Sequence, residues 1–382
     1  MLTRGHIGII GAGLAGASCA RALARAGFQV TLLESEDGPA RGASGNPVGI
    51  LHPLISKDFN LASQWIELGI QTSLRWLSEL NALAKLKDLG LVGQSCGVLQ
   101  MNQDCSELVH WTSNGAWIRP ARWVAACLLD AEQYGAKIFF GARVLRVNRE
   151  AQVDVILGGG SDLYTYKFDA VVFCNAASIE SLVPNAQLRL NSIRGTISSY
   201  RLEGKYSLPH IICADGYATP VIEGEMAVGA SYERLDNLGG SGVVGGAGDS
   251  HDRVSEELDS RSNLDRLRVI SELLTARCKG LNPTDRTSIR SATLDRMPHV
   301  GRLLDESVAL TPSISRIEQM PRSKRLWVLG GLGSRGLSTA ALGAEMILAQ
   351  MMGEVLPVSA RLAAAVDPTR FALRRHQRRK IG

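Results

Sequence analysis

The 382-residue chain has no Cys-x-x-Cys spacing among its seven cysteines and no His-x-x-x-His spacing among its seven histidines. The first absence excludes a local dithiol redox motif, and the two together remove the usual metal-ligand spacings, so no metal is expected. An odd cysteine count without paired spacing fits reduced thiols and a cytoplasmic location. No window offers roughly eighteen uncharged apolar residues. The best stretch, Leu326 to Met352, is interrupted by Arg335 and Glu345, so no membrane contact is expected. Arg4 precedes an apolar run, but no small-x-small site follows before a polar start, which argues against a secretory signal. No RRM or KH signature is present. The excess of positive charge is also local. Arg370, Arg374, Arg375, Arg378, Arg379 and Lys380 outnumber the net charge of +5, so 370–382 reads as a basic tail, either solvated or in contact with phosphates.

What is present begins at once. His6–Ile10 reads as a buried strand, Gly11-Ala-Gly-Leu-Ala-Gly16 as a tight turn, Ala17–Ala26 as a small-residue helix and Gln29–Leu33 as a second strand ending on Glu34. This is a βαβ unit with Gly-x-Gly-x-x-Gly where a dinucleotide fold needs it. Gly11 permits the turn, Gly13 lets the backbone approach a pyrophosphate, and Gly16 lets the helix pack closely, with its N-terminus facing the phosphates. Glu34 suits a ribose and would repel a 2′-phosphate, which favours FAD or NAD over NADP.

Further along, Ser35–Asn46 carries Arg41 and the slight Gly42-Ala-Ser-Gly-Asn46, either a plain loop or a segment offering N–H groups to a cofactor. Val48–Leu54 reads as a strand containing His52, Leu61–Leu89 as a helix, Gly97–Met101 as a strand and Ala121–Tyr134 as a helix. Lys137–Asn148 and Ala151–Leu157 read as hairpin strands, and Asp169–Asn175 as a strand continuing the first sheet. Gly195–Tyr200, His210–Cys213, Ala218–Glu223 and Met226–Ala230 follow without intervening helices, so an antiparallel sheet and a second domain are expected. Leu238–Ser250 reads as a flexible surface loop, and Ser262–Cys278 as an amphipathic helix with Ser262 and Asp265 as a capping pair. Arg325–Gly330 is a last buried strand, followed by Gly331-Leu-Gly-Ser-Arg-Gly336 and a helix to Gly353. This second glycine turn lacks a returning strand and acidic residue. It therefore reads as a second contact to the same extended cofactor, which FAD needs and NAD does not.

Taken together, the N-terminal βαβ, the interleaved antiparallel region and the C-terminal strand–glycine turn–helix resemble the D-amino-acid oxidase superfamily of FAD-dependent oxidoreductases. Several stretches resemble, within it, the flavin oxidase half of the bifunctional tRNA 5-methylaminomethyl-2-thiouridine biosynthesis proteins. They are Gly42-Ala-Ser-Gly-Asn46, Leu51-His-Pro-Leu-Ile-Ser-Lys57, Asp215-Gly-Tyr-Ala-Thr-Pro220, Gly229-Ala-Ser-Tyr232, Gly331-Leu-Gly-Ser-Arg-Gly-Leu337 and Asp367-Pro-x-Arg-Phe-x-x-Arg-Arg375. The resemblance implies an α/β fold in which a Rossmann-like FAD-binding domain (1–90, 121–187 and 285–382) is interleaved with an antiparallel substrate domain (91–120 and 188–284). It implies FAD contacts from Gly11, Gly13, Leu14, Ala15, Gly16, Glu34, Arg41, Ala43, Ser44, Gly45, Asn46, Val144, Asn175, Ala176, Gly331, Gly333, Ser334, Arg335, Gly336 and Leu337. The methyltransferase domain of the bifunctional proteins is absent from these residues, so methyl transfer is not assigned to this chain, and whether a separate SAM-dependent methyltransferase is a partner stays open at this point. His52 departs from the family by standing where an aromatic Tyr is expected.

The implied substrate is 5-carboxymethylaminomethyl-(2-thio)uridine at the wobble position of a tRNA anticodon. Its arm is an N-substituted glycine, and hydride loss from the CH₂ to flavin followed by imine hydrolysis would leave 5-aminomethyl-(2-thio)uridine and glyoxylate, an oxidation of a CH–NH group. Arg290 matches the position where glycine oxidases clamp a carboxylate, although it also has Asp295 nearby in sequence as an ion-pair partner. Tyr217 is either a hydroxyl donor to substrate or a packing residue, with His52, Lys57 and Arg194 as weaker site candidates. Arg316, Arg322, Lys324, Arg325 and the tail are the expected phosphate contacts. Two other readings remain at this point: a free-standing glycine, sarcosine or D-amino-acid oxidase or dehydrogenase, and a non-catalytic flavin-bearing scaffold for tRNA and a methyltransferase.

Overall fold

The computed structural model describes residues 4–102, 107–202, 207–235 and 250–378. Short runs of Ile, Val and Leu, bounded by glycines, form the strands of a six-stranded sheet in the order His299–Leu304, Arg322–Gly330, Ala170–Phe173, His6–Ile10, Gln29–Leu33 and Lys137–Phe139. All its pairings are parallel except that of His299–Leu304 with Arg322–Gly330. Both faces of this sheet are covered, which is why its strands read as continuous apolar runs.

One face carries the helices Leu14–Arg25, Leu61–Leu86, Pro120–Gln133 and Ala340–Met352 over a core that includes Trp65, Trp76, Trp123, Leu23 and Ile347. Asn60 starts the long helix by accepting the N–H groups of Ala62 and Ser63 at 3.1 Å, and Pro120 opens the next at its first position. The other face carries a three-stranded antiparallel sheet, Ala142–Val147, Gln152–Leu157 and Leu163–Lys167, packed through Val153, Val155, Phe168 and Phe173. Lys137–Asn148 is thus not one strand. Gly141, at φ +64°, turns the chain, so its first half joins the parallel sheet and its second half the small one.

The second region is an eight-stranded sheet built on the long strand Leu190–Arg201. Along one edge of that strand lie Glu233–Arg234 and Glu225–Gly229, and then Tyr217–Ala218, Ile211–Cys213, Val98–Met101 and Leu108–Thr112. All pairs are antiparallel but Ile211–Cys213 with Val98–Met101. The other edge is paired along its length with Thr284–Thr293. Residues 285–293, expected in the cofactor-binding region, therefore belong to this sheet. A separate three-stranded antiparallel sheet places Ala116–Ile118 between Gly49–Leu51 and Gly93–Ser95.

Ser250–Ile270 and Glu272–Cys278 cover the outer face of the large sheet through Leu267, Leu274 and Cys278. The expected single helix from Ser262 is broken at Ser271, whose hydroxyl accepts the Leu274 N–H at 3.3 Å. Ser262 is no cap. It lies inside the first helix and accepts from Arg266 at 2.6 Å. Of the expected surface loop Leu238–Ser250, residues 238–249 lie outside the described residues, and Ser250 begins the helix. No described helix is long and apolar enough to cross a membrane, and no group of three potential metal ligands occurs among the described residues.

Candidate active site

The glycine turn after the first strand is closed on itself. The Gly11 N–H donates to Leu33 O at 2.8 Å, and Gly11 has φ +103°, with the Cys174 backbone where a Cβ would stand. A Cβ on Gly16 would collide with the Gly11 carbonyl, so the helix approaches the strand only because residue 16 is glycine. The helix begins at Gly13 without a side-chain cap, and the Leu14 N–H donates to Ser44 Oγ at 2.9 Å. That bond ties the turn to the short helical segment Ala43–Gly45. Glu34 accepts the Ala12 N–H at 2.6 Å and the Glu36 N–H at 3.0 Å, so its carboxylate also fixes the turn it was expected to serve.

The C-terminal glycine turn is held from behind by the long helix. Ser73 Oγ donates to Leu337 O at 2.7 Å, and Gly69 passes the Ser338 carbonyl too closely to carry a side chain. Gly331 and Gly333 take positive φ values, and Leu332 bridges to Ala292 of the large sheet.

Between these turns runs a channel of about 990 Å³. Its lining includes Gly11, Gly13, Leu14, Ala15, Glu34, Arg41, Ala43, Ser44, Asn46, Val144, Asn175 and Ala176, and then Gly331, Gly333, Ser334, Arg335, Gly336 and Leu337. Gly16 and Gly45 lie behind it as packing positions. An extended flavin dinucleotide fits these features. The helix N-terminus has no side-chain cap from its own N-cap residue, and Asn175 has a buried Oδ1 without a partner among the described residues.

At the other end the channel is floored by the large sheet. Gln100, Cys213, Tyr217, Gly229 and Ile197 are successive register partners across five strands, and all line the channel. The strand Thr284–Thr293 contributes every second residue to one side. Arg286 donates to the carbonyls of Arg41 and Gly42 at 3.1 Å, Ser288 to Asn46 Oδ1 at 3.2 Å, and Arg290 to Ser334 Oγ at 3.3 Å. One strand thereby touches both cofactor loops.

Arg290 is 8% exposed and has no carboxylate partner among the described residues. Asp295 is engaged elsewhere, by Arg370 and Arg374. Burial lowers the Arg290 pKa, opposed by the phenols of Tyr217 and Tyr232. Tyr217 is pushed up to about 12 by burial despite Arg290, so its phenol remains a donor. His52 lines the channel and is pushed down to about 3 by burial and then by Arg335. Its Nε2 accepts from Arg335 Nη2 at 3.3 Å, which makes it neutral at pH 7.

Three expectations change. Lys57 is exposed and off the channel. Arg194 is turned away to Asp259, at 2.6 Å, and clamps the covering helix to the sheet. The basic tail is in part structural: Arg370–Arg378 is a helix, with Arg370 and Arg374 on Asp295, while Arg322 is paired with Asp367 at 2.8 Å. Sequence reading passed over Gln100, Cys213, Tyr232 and Arg286. Only Arg286 carried a usable signal, its period-two spacing from Ser288 and Arg290.

The sequence pattern of the FAD dependent oxidoreductase (DAO) family matches residues 6–111 and 107–351. A tRNA 5-methylaminomethyl-2-thiouridine biosynthesis bifunctional protein MnmC from Methylobacillus flagellatus is 30% identical over 97% of the chain. The protein of that name from Burkholderia thailandensis is 30% identical over 98% of it. The chain spans 60% of the length of each. Among solved structures, glycine oxidase from Geobacillus kaustophilus superposes with a TM-score of 0.69 at 17% identity, covering 96% of this chain and 98% of that one. Iminodiacetate oxidase from Chelativorans sp. BNC1 gives 0.67 at 20% identity, covering 93% and 98%.

Proposed function

The chain belongs to the FAD dependent oxidoreductase (DAO) family and uses FAD, and from that premise we propose that it oxidises the N-substituted glycine arm of 5-carboxymethylaminomethyl-(2-thio)uridine in tRNA. The products are the 5-aminomethyl nucleoside and glyoxylate. The overall change removes two electrons from the C–N unit, and one water completes its cleavage to amine and aldehyde. FAD, when bound, supplies the two-electron acceptor. Gly11–Ala15 and the helix N-terminus would hold its pyrophosphate, Glu34 its ribose, and 42–46 with Gly331, Gly333 and Gly336 its remaining length.

The observation that carries the reading is Arg290: a buried guanidinium, without a carboxylate partner among the described residues, in the channel beside Ser334 of the C-terminal turn. Leaving such a cation unpaired costs several kcal/mol, roughly, unless a bound anion takes its place. A substrate carboxylate matches its fork in shape and charge. Tyr217, protonated at neutral pH, adds a donor on the same side. The amine of the arm must bind neutral to be oxidised, and a pocket end holding two cations, Arg290 and Arg335, disfavours its protonated form. Cys213, Ile197 and Gly229 add buried, uncharged wall to this end.

The tRNA part is supported by identity to the MnmC proteins along nearly the entire chain. A second reading, a free N-substituted glycine as substrate, is favoured by one observation. Arg322, Arg325, Arg370 and Arg374, expected to reach RNA phosphates, are paired internally with Asp367, Glu150 and Asp295. The test is to incubate the FAD-loaded protein with tRNA bearing the carboxymethylaminomethyl group and to analyse the digested nucleosides by mass spectrometry, with sarcosine and glycine in parallel. Conversion to the aminomethyl nucleoside, with little turnover of the free amino acids, is the expected result. Rapid sarcosine or glycine oxidation with untouched tRNA would establish the second reading instead.

A further inference from the structure

The substrate end of the channel holds a second guanidinium that the carboxylate clamp does not use. Arg335 follows Ser334, the hydroxyl to which Arg290 donates, and both arginines line the channel. Its own hydrogen bonds go to His52: Nη1 to the carbonyl at 3.2 Å and Nη2 to ring Nε2 at 3.3 Å. Both acceptors are uncharged, so they orient the guanidinium without neutralising it. No carboxylate lies within ion-pair distance of Arg335 among the described residues. The carboxylates lining the channel are elsewhere. Glu34 and Glu36 belong to the turn at the far end, and Asp215 is an exposed rim residue facing Arg266 at 3.9 Å. Burial lowers Arg335 to about 10, which leaves it charged at neutral pH.

A guanidinium has five N–H donors in a fixed fork, and the two bonds to His52 leave others unused on a residue that lines the channel. One carboxylate neutralises one arginine, so a simple N-methyl glycine would leave the half-buried Arg335 without a counter-charge. We propose that Arg335, oriented by His52, forms a second acceptor subsite beside Arg290, selecting N-substituted glycines whose substituent carries a planar oxygen acceptor a few bonds from the amine. Two groups have this chemistry: a second carboxylate, and the ring carbonyl next to the substituted carbon of a 5-substituted uracil. The inference rests on the preceding reading in taking Arg290 as the site of the glycine carboxylate.

Unreactive ethers test it, because oxygen in place of the amine removes the group to be oxidised. FAD-loaded protein is titrated with methoxyacetate, oxydiacetate and 5-(carboxymethoxymethyl)uridine, and Kd is read by calorimetry and by perturbation of the flavin spectrum. Methoxyacetate carries the first carboxylate alone, oxydiacetate adds a second, and the uridine ether adds the ring carbonyl. The expected result is that one or both of the larger ligands binds about 10-fold or more tightly than methoxyacetate, the size of one charge-assisted hydrogen bond. Which of them gains identifies the acceptor. Arg335→Met should bring the ratio to within about twofold, and Arg335→Lys should keep an intermediate ratio.

No preference in the unaltered protein, or a preference that survives Arg335→Met, would overturn the proposal. So would loss of FAD from both variants with the ligand ratio unchanged, since Arg335 would then belong to the cofactor. Arg290→Met separates the underlying reading: it should weaken all three ethers, and unweakened methoxyacetate would refute the clamp whatever Arg335 does.

Discussion

Arg370 holds both oxygens of Asp295, with Nε to Oδ2 at 3.0 Å and Nη2 to Oδ1 at 2.8 Å, and so keeps that carboxylate from Arg290. Asp295 lies five positions after Arg290 and is a natural partner for it on sequence grounds. Arg374 adds a third bond at 2.8 Å, and Arg370 also donates to Met297 O and His299 Nδ1. A helix near the C-terminus thereby anchors the turn after the strand Thr284–Thr293 and leaves Arg290 without an ion-pair partner among the described residues.

That anchor carries stability. Arg370 is 3% exposed, and Arg370→Met leaves Asp295 with the exposed Arg374 as its one ion-pair partner among the described residues, beside hydrogen bonds from Thr293 and Met297. The expected loss is about 3 kcal/mol or more, measured by urea denaturation of the FAD-loaded protein. A loss below about 1 kcal/mol would show the pair to be energetically idle.

Arg290→Met should lower kcat/KM about 100-fold or more on any N-substituted glycine, because the substrate carboxylate then enters a buried site unpaired. Tyr217→Phe removes one donor and should cost about 10-fold. Steady-state kinetics at saturating FAD decides both, and an Arg290→Met enzyme with normal KM and kcat would contradict the clamp.

Acid should destabilise the fold well before its carboxylates titrate. His299 is fully buried and pushed down to about 3 by burial and by Arg370, with Nε2 donating to Leu188 O; His52 is also near 3. Both are neutral in the fold and take up protons only on unfolding between the ordinary histidine value, about 6.5, and about 3. The unfolded state therefore binds more protons in that window. Stability is full above it and falls as pH falls, by about 1.4 kcal/mol per pH unit for each histidine. Burial would raise Asp295, but Arg370 and then Arg374 outweigh it and hold it at about 2, so a further loss begins below about pH 4. Denaturation midpoints at pH 7, 6 and 5 should show the slope, and His299→Gln should remove about half of it.

Gly16→Val places side-chain atoms on the Gly11 carbonyl and should yield protein without bound flavin, seen as loss of its visible absorbance. Full occupancy would show that the turn can shift to admit a side chain.

Arg286→Met removes two bonds to the carbonyls of Arg41 and Gly42. The loop 41–46 should loosen, and FAD should bind about 10-fold more weakly. Equilibrium dialysis of apoprotein with FAD measures this, and an unchanged Kd would assign Arg286 to packing alone.

Both glycine turns, the βαβ unit and most strands were legible because their signals are local: apolar runs, positive-φ glycines and acidic ends within a few residues of each other. The failures were local as well. One glycine at 141 divides what alternation reads as a single strand, and Ser271 divides what periodicity reads as a single helix.

The amino-acid sequence by itself determined the dinucleotide turn and the second glycine turn, since each rests on residue type and short spacing, whereas Arg290 was singled out by resemblance with Asp295 still open as its partner. Only the tertiary structure decided which charges remain without partners. Arg370 and Asp295 are 75 residues apart, Arg194 and Asp259 are 65 apart, and Arg335 and His52 are 283 apart. Whether an arginine is spent on a fold or kept for a ligand depends on the carboxylates that distant segments bring to it, and spacing along the chain does not encode that meeting.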